Sequence, residues 1–418
     1  MLIGLSGKKA SKMTSYKICL IIDDYMPDSI KVGAKMMHEL ACEFKKQGHE
    51  VTVVTPSSKL KTKTEISMLD GITVCRFKSG EIKNTGKIKR AMNETLLSYY
   101  AWRNFKPYFQ KNKQDLIIYY SPTIFWGGLV LRLKKLWGVP SYLILRDLFP
   151  QWAIDHGLIK KDSKIEKYFR YFEKKNYEAA DIIGLMSEKN LAWFQKTTDI
   201  EKSLEVLYNW ASNEEVKAEG QYKKVLGLEE KIVYFYGGNI GHAQDMMNIA
   251  RLAKNMKKDT RAHFVLVGAG DEVELVRDAI ETQQLDNMTL LPSVSQDEFK
   301  KMLAEFDVGL FTLHKDHSTH NFPGKLLGYM VQRLPILGSI NQGNDLKEIV
   351  ENANAGFVTV NGDDNTLLEN AKKLLDDELR QGVGKNSKQL LHDLFSVEAA
   401  ANTILNFFND NKRNRVIF

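Results

Sequence analysis

Cysteine is scarce. Cys19, Cys42 and Cys75 are an odd number, at spacings that fit neither a disulfide framework nor a zinc site, and this points to a reducing, cytoplasmic setting. Long apolar runs are missing as well: nothing approaches the roughly 18–20 residues that cross a bilayer. Residues 1–14 carry only a short apolar patch before Lys8 and Lys9, which excludes a secretory signal and reads as a disordered leader. No Asp-x-Asp pair offers a metal–nucleotide bridge. A Walker lysine loop, a His-Glu-x-x-His helix and a Gly-x-Ser-x-Gly elbow are absent too. Internal repeats and low-complexity tracts are also lacking.

What remains is an ordinary globular composition, 43% hydrophobic and 27% charged over 418 residues, enough for two domains. The net charge of +7 hides an asymmetry. Residues 1–210 hold 35 Lys+Arg against 22 Asp+Glu, and the remainder 24 against 30. The first half therefore faces something anionic. Its densest basic stretch, 83–113, has eight positive residues, one acid (Glu94) and six interleaved aromatics. A helix spanning it is either an interfacial membrane helix or a core helix with a solvated lysine face, most of the aromatics suiting the core. No nucleic-acid-binding module accompanies the charge, so nucleic acid is not an expected partner.

Apolar runs and helical spacings alternate along the chain. Strands are predicted at 17–22, 50–55, 72–77, 116–120, 141–145, 181–186 and 204–208. After a polar stretch a second series follows at 232–236, 263–267, 288–291, 308–311, 336–338 and 356–360. The alternation predicts α/β architecture, with two doubly wound parallel sheets covered on both faces and a ligand cleft at strand carboxyl ends. The expected division is a first domain over 15–209, a second over 210–394 and a final segment from 395 to 418.

Three local features carry chemistry. Tyr236-Gly237-Gly238-Asn239-Ile240-Gly241 follows a strand and opens toward a helix, so its backbone and the helix dipole suit a diphosphate, although a plain tight turn would look the same. Pro323-Gly324-Lys325 puts a lysine at a helix start, within reach of such a diphosphate. Arg146-Asp147 ends the 141–145 strand, where a catalytic pair or a structural ion pair would sit. His314, His317 and His320 are spaced for a metal but read as a solvated loop, and no metal is expected.

Taken together, GHEVTVVTP at 48–56, VLYNWAS at 206–212, YGGNIGHAQDM at 236–246, LVGAGDE at 266–272 and PGKLLGYM at 323–330 resemble the group 1 glycosyltransferases. These are retaining, metal-independent enzymes of GT-B fold, with two Rossmann-like domains facing a central cleft. GNIG followed by AQ, with the NW junction, is most similar to the O-antigen and capsule branch, in particular the WbuB-like N-acetyl-L-fucosaminyl transferases. The resemblance implies that Gly238, Asn239 and Gly241 face the donor diphosphate with Lys325 supplying charge, that Gln244 also binds the donor, and that Leu291–Val294 runs beneath the nucleobase. It implies Gly33 and Asp24 on the acceptor side, and a C-terminal helix that returns to the first domain. It also implies a UDP-sugar donor, no cofactor, and a lipid-diphosphate-linked saccharide as acceptor, met by a peripheral protein at the inner face of the cytoplasmic membrane.

Two departures stand out. Alignment on Lys325 puts the family's glutamate pair at His320 and Gly328, so both carboxylates are missing. Arg146 also stands where much of the family has a histidine near the donor sugar's hydroxymethyl group, which is compatible with a 6-deoxy sugar. Asp147, Arg146 and Lys325 are the candidate catalytic residues. A nucleotide-sugar epimerase of the same fold and a non-catalytic nucleotide-sugar-binding partner are the alternatives.

Overall fold

The computed structural model describes residues 15–29, 31–83, 85–315 and 323–415, with backbone only over 410–415. The expected leader, His317 and His320 lie outside the described residues. The chain forms two compact units. The first contains the residues up to 185, 194–207 and those from 401 on; the second contains 186–193 and 208–400.

Eight strands build the sheet of the first unit: β1 (Lys17–Ile21), β2 (Glu50–Ser57), β3 (Thr64–Leu69), β4 (Ile72–Lys78), β5 (Leu116–Ser121), β6 (Ser141–Leu145), β7 (Ile182–Leu185) and β8 (Ser203–Val206). Their order is β3-β4-β2-β1-β5-β6-β7-β8. Every residue of β5 and β6 is buried, as parallel strands covered on both faces require. Helix α1 (Val32–Lys46) shows how the covering is encoded. Met37, Leu40, Ala41 and Phe44 fall on one buried face, Lys45 and Lys46 suit the negative end of the dipole, and Gly48 turns the chain at φ +89°.

The sheet is not wholly parallel as expected, because β3 pairs antiparallel with β4. Its side chains are mostly exposed, so no apolar period marks it. The signal present was the Asp70-Gly71 turn, both residues at positive φ, which closes a two-residue hairpin between Leu69 and Ile72.

The single helix expected over 83–113 is two helices, α2 (Lys87–Thr95) and α3 (Leu97–Lys111), separated at Leu96. α3 buries Leu97, Ala101, Phe105 and Phe109, and the Trp137 indole N–H donates to the Phe109 carbonyl at 2.8 Å. α2 buries only Glu94. The aromatics belong to the core helix, and most of α2 stays in solvent.

Helices α4 (Gly127–Trp137), α5 (Gln151–Asp155) and α6 (Lys164–Ala179) also belong to this unit. The Ser163 hydroxyl accepts from the Glu166 N–H and caps α6. A Cβ at Gly127 would lie 2.5 Å from the Lys175 carbonyl, so glycine lets α4 and α6 touch backbone to backbone. The last helix spans Val397–Arg415, and from Ala401 on it groups with this unit: the Tyr16 hydroxyl donates to Asn409, and Phe407 packs against Tyr142.

The second unit has six parallel strands: β9 (Ile232–Asn239), β10 (Ala262–Ala269), β11 (Met288–Leu291), β12 (Val308–Thr312), β13 (Ile336–Ile340) and β14 (Gly356–Val360), in the order β11-β10-β9-β12-β13-β14. Alternate β9 residues feed two cores, Val233 and Phe235 one, Tyr234 and Tyr236 the other.

Both sheets reverse direction at one place. The first goes outward from β1 through β2 and returns to β5 on β1's other side; the second does the same with β9, β10 and β12. Ligands of such sheets bind beyond the carboxyl ends at these switch points. Among the described residues no helix is long and apolar enough to cross a membrane.

Candidate functional site

In the second unit the switch point is built from glycine. Gly238 sits exposed at φ +132°, a conformation L side chains rarely adopt. A Cβ at Gly268 would lie 1.9 Å from the Gly238 carbonyl and one at Gly270 2.1 Å from the Ile240 carbonyl, so the β9 and β10 ends press together. The Asn239 side-chain amide donates to Gln244 at 2.7 Å. The glycine turn does not run straight into a helix as expected. A 3₁₀ turn, His242–Gln244, intervenes, and the Glu272 carboxylate accepts from the Met246 N–H at 3.4 Å at the start of helix Met246–Asn255.

Lys325 opens the helix Lys325–Val331, and its ammonium lies 3.5 Å from the centroid of the Tyr236 ring. A Cβ on Gly238 would be 3.5 Å from the same nitrogen, so turn and lysine converge. Loss of hydration pushes the lysine down to about 7. The Tyr236 hydroxyl in turn donates to the Asn239 carbonyl at 2.5 Å. Tyr236 was not singled out in the sequence; an aromatic immediately before the glycine pair was its only signal.

Beside this turn, Gly268–Asp271, Glu274, Arg277 and Leu291–Ser293 line a cavity of about 500 Å³ at the ends of β10 and β11. Val294 instead packs against the apolar core. A Cβ at Gly328, one of the two positions where the family's glutamates would fall, meets Leu303 at 3.1 Å, so that position faces a core side chain. The other, His320, lies outside the described residues.

The first unit's switch point is built from side chains. Gly33 brings α1 against Tyr120, whose hydroxyl would be 3.2 Å from a Cβ there. Burial pushes Tyr120 up to about 12. Arg146 follows β6, and burial brings its guanidinium down to about 10, with Tyr120 and Tyr142 opposing. Burial raises the neighbouring Asp147 carboxyl, and Arg90 on α2 opposes that rise. Asp24 accepts from the Ser29 hydroxyl at 2.7 Å and lines a polar cavity of about 290 Å³ with Asp23, Ser57, Arg76 and Lys83. Buried Arg76 donates to the Met26 carbonyl and to Ser67 and pairs with Asp28 at 3.3 Å, fixing the loop that carries Asp24. Arg76 and Tyr120 sit inside strands, where the sequence gives no sign of a site.

Residues 219–390 match the family model described as glycosyl transferases group 1, and residues 33–214 match that of glycosyltransferase family 4. Each match covers less than half of the chain, and both models describe glycosyltransferases. The chain is 25% identical over 229 residues to the probable glycosyltransferase WbjE of Pseudomonas aeruginosa, covering 54% of the chain and 57% of that relative's length. It is 24% identical over 340 residues to the putative colanic acid biosynthesis glycosyl transferase WcaI of Escherichia coli K12, covering 74% and 80%. Among solved structures it is similar to sucrose-phosphate synthase of Thermosynechococcus elongatus (TM-score 0.64, 14% identity, 96% and 100% covered). It is likewise similar to Anabaena HepE in complex with UDP (TM-score 0.64, 14% identity, 94% and 100% covered). At that identity the likeness is one of fold, and the fold is GT-B, as the sequence led us to expect.

Proposed function

We propose that this glycosyltransferase moves an N-acetylated amino-deoxyhexose of the L-fucosamine type, with retention, from a UDP-sugar to a lipid-diphosphate-linked saccharide in O-antigen or capsule assembly. One observation carries the reading: the Lys325 ammonium stands against Tyr236 beside the Gly238 turn. A poorly hydrated cation next to an open glycine turn suits the diphosphate of a nucleotide-sugar. The naming of WcaI for colanic acid biosynthesis and the UDP complex of HepE support the substrate class.

In this reading the donor occupies the second unit. Its diphosphate meets Gly238, Asn239, Gly241 and Lys325, with Gln244 holding the Asn239 amide. The nucleoside enters the cavity at Leu291–Ser293, where Arg277 and Glu274 take over ribose contacts from the missing glutamates. As the glycosyl–phosphate bond breaks, the sugar becomes oxocarbenium-like and negative charge grows on the departing diphosphate. Lys325 and the backbone dipoles stabilise that charge most in the transition state, with no resident metal. The acceptor lies on the first unit, at Gly33, Asp24 and the polar cavity. Asp147 and Arg146 position the two sugars, and a 6-deoxy donor leaves room for the arginine. The protein works as a peripheral one at the inner face of the cytoplasmic membrane.

Mass spectrometry of a GlcNAc-diphosphate-lipid incubated with a panel of UDP-sugars, with and without EDTA, tests this. The expected result is one added N-acetyl-deoxyhexosamine, unaffected by chelation. UDP binding without transfer to any acceptor overturns it.

A further inference from the structure

Outside the features used so far, the first unit holds an apolar cavity of about 280 Å³ between α2, α5 and α6. Ile124, Phe125, Phe149, Ala153, Ile159 and Phe169 supply its walls, with the Phe149 and Phe169 rings 4.8 Å apart. The mouth is open: Trp152 is 41% exposed and Leu158 61%. Lys87, Arg90, Glu94 and Asp147 also line it, so one end of a hydrocarbon cavity is charged and touches the strand end of β6. On α2, Ile88 and Met92, four residues apart, are 80% and 63% exposed beside Lys87 and Lys89.

The stretch 79–94 orders these environments. Ser79–Lys83 lines the polar cavity that holds Asp23 and Asp24, whereas Lys87, Arg90, Ala91 and Glu94 line the apolar one. The two are close. Glu94 is held by Arg90 at 2.8 Å and also feels Asp23 and Lys83, which themselves pair at 2.8 Å. Along this stretch the surface changes from hydrogen-bonding to charged to hydrocarbon. A saccharide joined through a diphosphate to a hydrocarbon chain has those three parts in that order.

We propose that the cavity between α2, α5 and α6 binds the first carbons of the acceptor's lipid chain, with Lys87 and Arg90 taking the diphosphate to which that chain is esterified. The site recognises a single anionic lipid and is distinct from general bilayer contact. It rests on the reading of the acceptor as a lipid diphosphate and adds where the lipid goes.

The test compares farnesyl diphosphate with inorganic diphosphate by calorimetry on the full chain. It also compares a GlcNAc-diphosphate bearing an undecyl chain with one bearing a methyl group in the transfer assay. Farnesyl diphosphate should bind at least about tenfold more tightly, a difference that two buried methylenes account for. Ala91→Trp, which fills the cavity from an accessible helix position, should abolish this preference and collapse the ratio of the two acceptors' KM values. Trp152→Ala is the second variant, and thermal melts report folding for both. Equal binding of the two diphosphates, or a preference that survives both variants, overturns the proposal. Transfer without chain-length preference refutes the lipid site alone. Chain-length-dependent binding without transfer refutes the enzymatic reading alone.

Discussion

The two sheets reverse at equivalent points yet furnish them in opposite ways. In the second unit, glycines bring main chain to the switch point, and the ammonium that converges there, Lys325, has burial as the one cause of its depressed pKa. In the first unit Tyr120, Arg146 and Asp147 lie at or near strand carboxyl ends, Asp24 and Arg76 line the polar cavity, and charged and phenolic side chains act on one another. A main-chain cradle answers one repeated group, such as a diphosphate. A side-chain surface is what a variable saccharide requires. The contrast therefore predicts sharp, few-residue effects in one unit and distributed effects in the other.

The harshest break is Lys325→Met. Transfer should fall about 10²–10³-fold, as for loss of one transition-state donor, while the melting temperature holds or rises because a buried ammonium has been removed. Wild-type rates with intact folding would end the assignment. Next comes reversal of Lys87, Lys89 and Arg90 together, each worth about 1 kcal/mol near an anionic surface. Binding to phosphatidylglycerol vesicles should drop about 10²-fold and lose its salt dependence, and vesicle flotation reads this.

A milder probe is pH. Lys325 ionises at about 7 in the folded chain. Its ammonium is present below that value, and a bound diphosphate raises its pKa. UDP affinity should thus be greatest in acid and fall by up to about tenfold per pH unit above 7. The unfolded lysine keeps its proton to about 10.4. That residue's share of stability therefore grows as pH rises from about 7 toward 10, and Lys325→Met flattens the slope. Calorimetric titration with UDP and thermal melts across pH check both signs. The smallest contrast pairs two glycines. Gly238→Ala must hold φ +132° and should cost about 1–2 kcal/mol with a raised donor KM. Gly33→Ala meets only the tip of Tyr120 and should change the acceptor KM a few-fold with little loss of stability.

Legibility in the sequence follows the same divide. Strands buried on both faces, such as β5 and β6, are continuous apolar runs and were located to within a residue, because burial itself writes the pattern. β3 left no such pattern, since its side chains face water. The glycine turn and Lys325 were readable because a backbone demand falls on consecutive residues. Tyr236 against Lys325, and Arg90 opposing Asp147, join positions far apart in the chain, and nothing local records such pairs. The break at Leu96 was equally silent: α2 and α3 are both basic, and packing is what separates them.

The closing turn of the last helix has an implication for synthesis. Tyr16 and Asn409, 393 positions apart, meet in the same unit. Nascent chains emerging from the ribosome hold β1 to β8 long before this partner exists. The amino-terminal half is therefore finished last, after everything between has been translated, and a polypeptide cut short before Ala401 leaves that half without its final strap.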